Sequence, residues 1–139
     1  MAVRKAEALW EGPLREGHGL MKFGSFEGAY SFASRFEEGN GTNPEELIGA
    51  AHAGCYSMAL SAGLGRAGFT PQRIHTIATV TLGTVDGKAR ITQIHLECEA
   101  EVQGIDGDSF TRIAEETRDG CPVSAALGDV RVSLDAKLV

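Results

Sequence analysis

Residues 43–64, NPEELIGAAHAGCYSMALSAGL, limit what this chain can fold into more than any other stretch. Asn43 is placed to cap a helix, Pro44 suits the first helical position, and Glu46 three residues on completes an N-x-x-E pattern like a capping box. Beyond that cap Glu45 is the only charged residue before Arg66, and Ile48, Tyr56, Met58, Leu60 and Leu64, with several alanines, are spread around the whole circumference. A helix that is apolar on every side is a buried one. Its length approaches that of a membrane span, but Gly49, Gly54, Gly63 and the polar His52, Ser57 and Ser61 make it small-sided, so it reads as a close-packed core helix. Cys55 stands near its midpoint.

A chain of 139 residues is expected to form one domain, 1–139, and needs no disulfide or metal to fold. Its net charge of −6 and lack of a basic stretch argue against nucleic acid and anionic membrane surfaces as partners. No secretory or anchoring segment is read, so the expected location is cytoplasmic. The three cysteines, 55, 98 and 121, are odd in number and widely spaced. They point to reactive or buried thiols rather than a disulfide framework.

Ahead of the helix, residues 3–10 and 20–23 read as short strands separated by glycine turns. Ser31–Phe36 alternates polar with apolar residues and reads as a third strand, with Phe32 and Phe36 on one face and Arg35 on the other. A polar turn then brings Arg35 within ten residues of Glu45, close enough for the two to meet. After the helix, residues 74–85 and 89–102 form a β-hairpin around Asp86-Gly87, a pair that favours a type I′ turn. Parity places Cys98 on the apolar face of the second of these strands. Residues 108–119 read as a helix capped by Asp108, with Phe110, Ile113 and Ala114 inward; Cys121-Pro122 opens another, with Cys121 at its N-cap. Residues 130–138 alternate as a last strand. The order β-β-β-α-β-β-α-β is that of an α+β fold. So few strands hardly enclose an all-apolar helix within one chain, and a homodimer would supply the missing cover.

Two thiols are candidates for chemistry. Cys55 has His52 three residues upstream on the same helix and Glu45 within about 80° of it in angle, roughly three turns away along the axis. Glu46 has its capping role, which leaves Glu45 as the carboxylate without a structural task. A thiol at a helix start, as Cys121 is read to be, meets unpaired N–H groups that favour thiolate. Arg35, if it reaches Cys55, would favour its thiolate and hold a polar oxygen leaving group, fixed in turn by a bidentate pair with Glu45. Cys98 reads as core. A mixed zinc set built on His52 and Cys55 with Glu45 or Cys121 is a weaker alternative, since it lacks a Cys-x-x-Cys pair. No phosphate loop or serine-hydrolase elbow is present.

RFEEGNGTNPEELIGAAHAGCYSMALS, with LGRAGFTP, VQGID and GCPVSAAL, resembles the OsmC/Ohr family of peroxidases over essentially the whole chain, and the wording is closer to the OsmC than to the Ohr branch. The resemblance implies an intertwined homodimer whose two sheets wrap around central helices. It implies reduction of organic hydroperoxides, and less well of hydrogen peroxide, with Cys55 as the attacking thiol, Cys121 as the resolving thiol, and Arg35 and Glu45 beside them. No bound cofactor is implied; an external dithiol, of lipoyl type in this family, restores the thiols. A non-enzymatic redox sensor or binding module using the same thiol pair is the other reading.

Overall fold

The computed structural model describes all 139 residues, which pack as two compact units, Met1–Leu47 and Ile48–Val139. In chain order the elements are β1 (Ala6–Glu11), β2 (His18–Phe23), β3 (Phe26–Tyr30), α1 (Phe32–Phe36), α2 (Pro44–Arg66), β4 (Pro71–Val85), β5 (Lys88–Val102), α3 (Gly107–Gly120), α4 (Pro122–Leu127) and β6 (Arg131–Leu138). The fold is α+β, as expected.

The first unit is an antiparallel meander, β1-β2-β3, joined to α1 and the start of α2. Trp10 and Tyr30 tilt together at 5.4 Å over Gly19, where a Cβ would come within 2.7 Å of the Trp10 ring. Glycine is required there by the rings. The strand expected over Ser31–Phe36 is instead the helix α1, and the third strand lies before it. Ser31, in extended backbone, exchanges side-chain and backbone hydrogen bonds with Ser34 in a full capping box, which starts a helical turn. A spacing of four places Phe32 and Phe36 on one face in either period; their rings are 4.9 Å apart.

The second unit is the sheet β4-β5-β6 with helices on its apolar face. Asp86 and Gly87, both at positive φ, join β4 to β5 as the Asp-Gly turn predicts. Strand β6 returns parallel to β5, which the crossover through α3 and α4 makes possible. His52, Tyr56, Leu60 and Leu64, each four residues apart, form the buried stripe of α2; within the core Tyr56, Leu60 and Leu64 pack with Ile94, Leu96, Cys98 and Ala100 of β5 and with Phe110, Ile113 and Ala114 of α3. The Tyr56 hydroxyl donates to the Ala114 carbonyl at 3.0 Å, so its burial leaves no polar group unpaired. The cap of α3 is Asp106, which accepts from the Ser109 N–H, and not Asp108, which lies inside the first turn.

The expectation that α2 is enclosed on all sides is not met within one chain. Only 28% of its most apolar 18-residue window is buried, and Ala50, Ala51, Gly54, Met58, Ser61 and Ala62 are exposed. One sheet and one neighbouring helix cover a single face. By length and composition alone α2 also qualifies as a membrane span, a test that core helices pass as well.

Candidate active site

In the first unit the chain brings Arg35 and Glu45 together as a bidentate pair, Nε to Oε1 at 2.9 Å and Nη2 to Oε2 at 3.2 Å. Asn43 makes this possible. Its Oδ1 accepts the Glu46 N–H at 2.8 Å, capping α2, while its Nδ2 donates to the Ser34 carbonyl at 3.0 Å and holds α1 beside the cap. Glu46 does not close the expected capping box; its carboxylate accepts from Thr42 Oγ1. Glu45, the carboxylate for which the sequence offered no structural task, is the arginine's partner. Its side chain is 10% exposed against 36% for Arg35. A pair so placed, with its arginine partly open to solvent, contributes about 1 kcal/mol net. The guanidinium also lies over the Phe36 ring at 5.3 Å and lines a cavity of about 210 Å³ with Trp10, Leu14, Tyr30, Phe32 and Phe36. This aromatic cavity was not read from the sequence, because its walls come from three separate segments.

In the second unit Cys55 lies within electrostatic reach of Cys121 and of the Val123 N–H. Cys55 is partly exposed; Cys121 is fully buried. Burial pushes the Cys55 thiol above its ordinary value; the Val123 N–H acts the other way, and Cys121 adds to the rise. Cys121 is the N-cap of α4, as expected, its sulfur accepting the Ser124 N–H at 3.4 Å. Cys121 Sγ in turn donates to Ser124 Oγ at 3.3 Å, and Ser124 Oγ stands 2.7 Å from His52 Nε2. His52 is fully buried and its Nδ1 has no partner, an omission that costs ~1–3 kcal/mol. Burial holds the imidazole below its usual value of 6.5.

Ser124 went unread in the sequence, although C-x-x-S after a glycine has the spacing of an N-cap and its third residue. Cys98 is core, 1% exposed on the inner face of β5, with burial raising its thiol. The zinc alternative does not fit: His52 faces a serine hydroxyl, and nowhere do three or more His, Cys, Asp or Glu side chains cluster as a metal site requires.

The sequence profile of OsmC-like proteins matches residues 37–135, from the turn after α1 into β6, and so takes in all three cysteines and Glu45, while Arg35 lies just ahead of it. This chain belongs to the OsmC-like family. It is 48% identical over 138 residues to peroxiredoxin OsmC of Escherichia coli K12, covering 97% of this chain and 96% of that one; the Shigella flexneri peroxiredoxin OsmC matches equally. Among solved structures, an OsmC-like protein of Mycoplasma pneumoniae superposes with a TM-score of 0.77 at 15% identity, over 99% of this chain and 98% of that one. The organic hydroperoxide resistance protein OhrB of Bacillus subtilis gives 0.68 at 23% identity, over 98% and 100%. These structures share the fold of the OsmC-like family. The OsmC branch is the one with near-half identity.

Proposed function

We propose that this protein is a cysteine-based peroxidase that reduces organic hydroperoxides to alcohols. The observation that carries the reading is the proximity of a partly exposed Cys55 to a buried Cys121. Cys55 as thiolate attacks the distal peroxide oxygen, the O–O bond breaks, alcohol leaves, and Cys55 becomes a sulfenic acid. Cys121 displaces hydroxide from that sulfur to give a disulfide and water, and an external dithiol reduces the pair. Two relatives at 48% identity that are named peroxiredoxins support the peroxidase class.

Arg35 is assigned the electrostatic part. A thiol raised by burial needs a cation to ionise at neutral pH, and a guanidinium fixed by Glu45 is suited to stabilise both thiolate and departing alkoxide. The aromatic walls beside that guanidinium support alkyl and aryl hydroperoxides over hydrogen peroxide. A homodimer is proposed as the working form, with the exposed face of α2 covered by a second copy, and a lipoyl-type dithiol as the reductant.

The test is consumption of cumene or tert-butyl hydroperoxide by purified protein with dihydrolipoamide. Turnover far beyond one equivalent per chain is expected, and is expected to vanish in Cys55→Ser. Consumption that stops at one equivalent would make the thiol pair a sensor instead.

A further inference from the structure

A fully buried thiol that reacts as thiolate needs a neighbouring group to accept its proton. Cys121 is fully buried, and its sulfur donates to Ser124 Oγ at 3.3 Å. A hydroxyl has one proton of its own, and with the thiol donating into its oxygen that proton is free to point at His52 Nε2, 2.7 Å away. Nε2 is then the accepting nitrogen, and the imidazole proton sits on Nδ1, the atom that is buried without a partner. Nothing about packing requires a histidine here; a side chain of similar volume without a stranded nitrogen would fill α2's buried stripe at lower cost.

We propose that Ser124 and His52 form a proton relay that ionises Cys121 for its attack on the Cys55 sulfenic acid. This rests on Cys121 being the resolving thiol. The Cys121 thiol proton passes to Ser124 Oγ as the hydroxyl proton passes to His52 Nε2, leaving a thiolate and an imidazolium. The thiolate attacks the Cys55 sulfur, the S–S bond forms, the S–O bond breaks, and hydroxide leaves. Hydroxide takes up the proton that the imidazolium gives back, so water is released and His52 returns to neutral. The oxidant is the sulfenic acid itself, and no further reagent is needed. Burial, which disfavours a charged imidazole at rest, keeps His52 in its accepting form until that step. His52 acts through Ser124 and does not touch the reacting sulfur; it positions and receives.

Single-turnover kinetics separate the two steps. Sulfenic acid formation is followed by dimedone trapping after one equivalent of cumene hydroperoxide, and disulfide formation by mass spectrometry of quenched samples. In Ser124→Ala and in His52→Gln, which keeps a side-chain amide toward Ser124 but accepts no proton, sulfenic acid is expected to form within about twofold of the parent rate. Condensation to the disulfide is expected to slow at least tenfold, with Ser124→Thr restoring it. Condensation at the parent rate in Ser124→Ala would overturn the relay, as would equal slowing of both steps. Ser124 lies on the short α4, so this variant serves even if His52→Gln does not fold. Failure of the parent protein itself to form a Cys55–Cys121 disulfide would overturn the resolving role and the relay together.

Discussion

The amide nitrogen of Asn43 donates to the carbonyl of Ser34 at 3.0 Å and helps to fix the last turn of α1 against the start of α2. Arg35 and Glu45 are brought together beside it, since Arg35 follows Ser34 directly and Glu45 lies two residues beyond Asn43. Asn43→Ala removes the cap and the tether together. We expect a loss of about 1–2 kcal/mol in stability, read by urea melts, accompanied by a fall in peroxidase rate; Asn43→Asp is expected to keep the cap and lose the tether.

Arg35→Lys keeps the charge but cannot form the two-point pair with Glu45. A loss of roughly 10–100-fold in kcat/KM is expected with the fold intact by circular dichroism, and Glu45→Gln should fall in the same range. A lysine variant as active as the parent would leave charge alone as the requirement.

Arg35→Met tests the ionisation of Cys55 directly. Thiolate is the deprotonated form, so a raised thiol is less reactive at neutral pH and gains reactivity as pH rises. With the cation removed, the midpoint of Cys55 alkylation by iodoacetamide should move upward. Mass spectrometry of labelled peptides reports it, and an unchanged midpoint would remove Arg35 from the thiol's electrostatics.

His52 carries a stability signature of its own. Its folded value lies below 6.5, so as pH falls through 6.5 the unfolded chain takes up a proton that the folded chain does not. The stability due to the neutral buried ring is complete above 6.5 and is lost progressively below it. Thermal melts between ~pH 7 and ~pH 5 should show a shallower decline in His52→Gln than in the parent.

Met58, at 78% exposed on an otherwise small-sided face of α2, is the position from which to test assembly. Light scattering should give twice the 14.7 kDa of the chain for the parent and a shift toward the single-chain mass for Met58→Lys.

Much of this molecule was legible in the sequence where one period or one turn decided the outcome. The Asp86-Gly87 hairpin, the inward parity of Cys98, the cap at Asn43 and the N-cap role of Cys121 all rest on local rules that the structure obeys. Ser31–Phe36 is ambiguous in the sequence because a spacing of four between the phenylalanines satisfies both periods, and the serine pair that decides for helix works through hydrogen bonds to the backbone. The turn between Arg35 and Glu45 makes their meeting legible in the sequence; the Asn43–Ser34 tether beside it is not. His52 and Ser124 are 72 residues apart, and no local rule joins them.

The neighbouring placement of Cys55, in the middle of α2, and Cys121, beyond α3, has a consequence in chain entropy. A bond between them closes a loop of about 66 residues and restricts the unfolded chain by ~4 kcal/mol. Each catalytic cycle would therefore tighten the fold by that amount and release it again. The oxidised enzyme, waiting for its dithiol, would be the form most resistant to heat and protease.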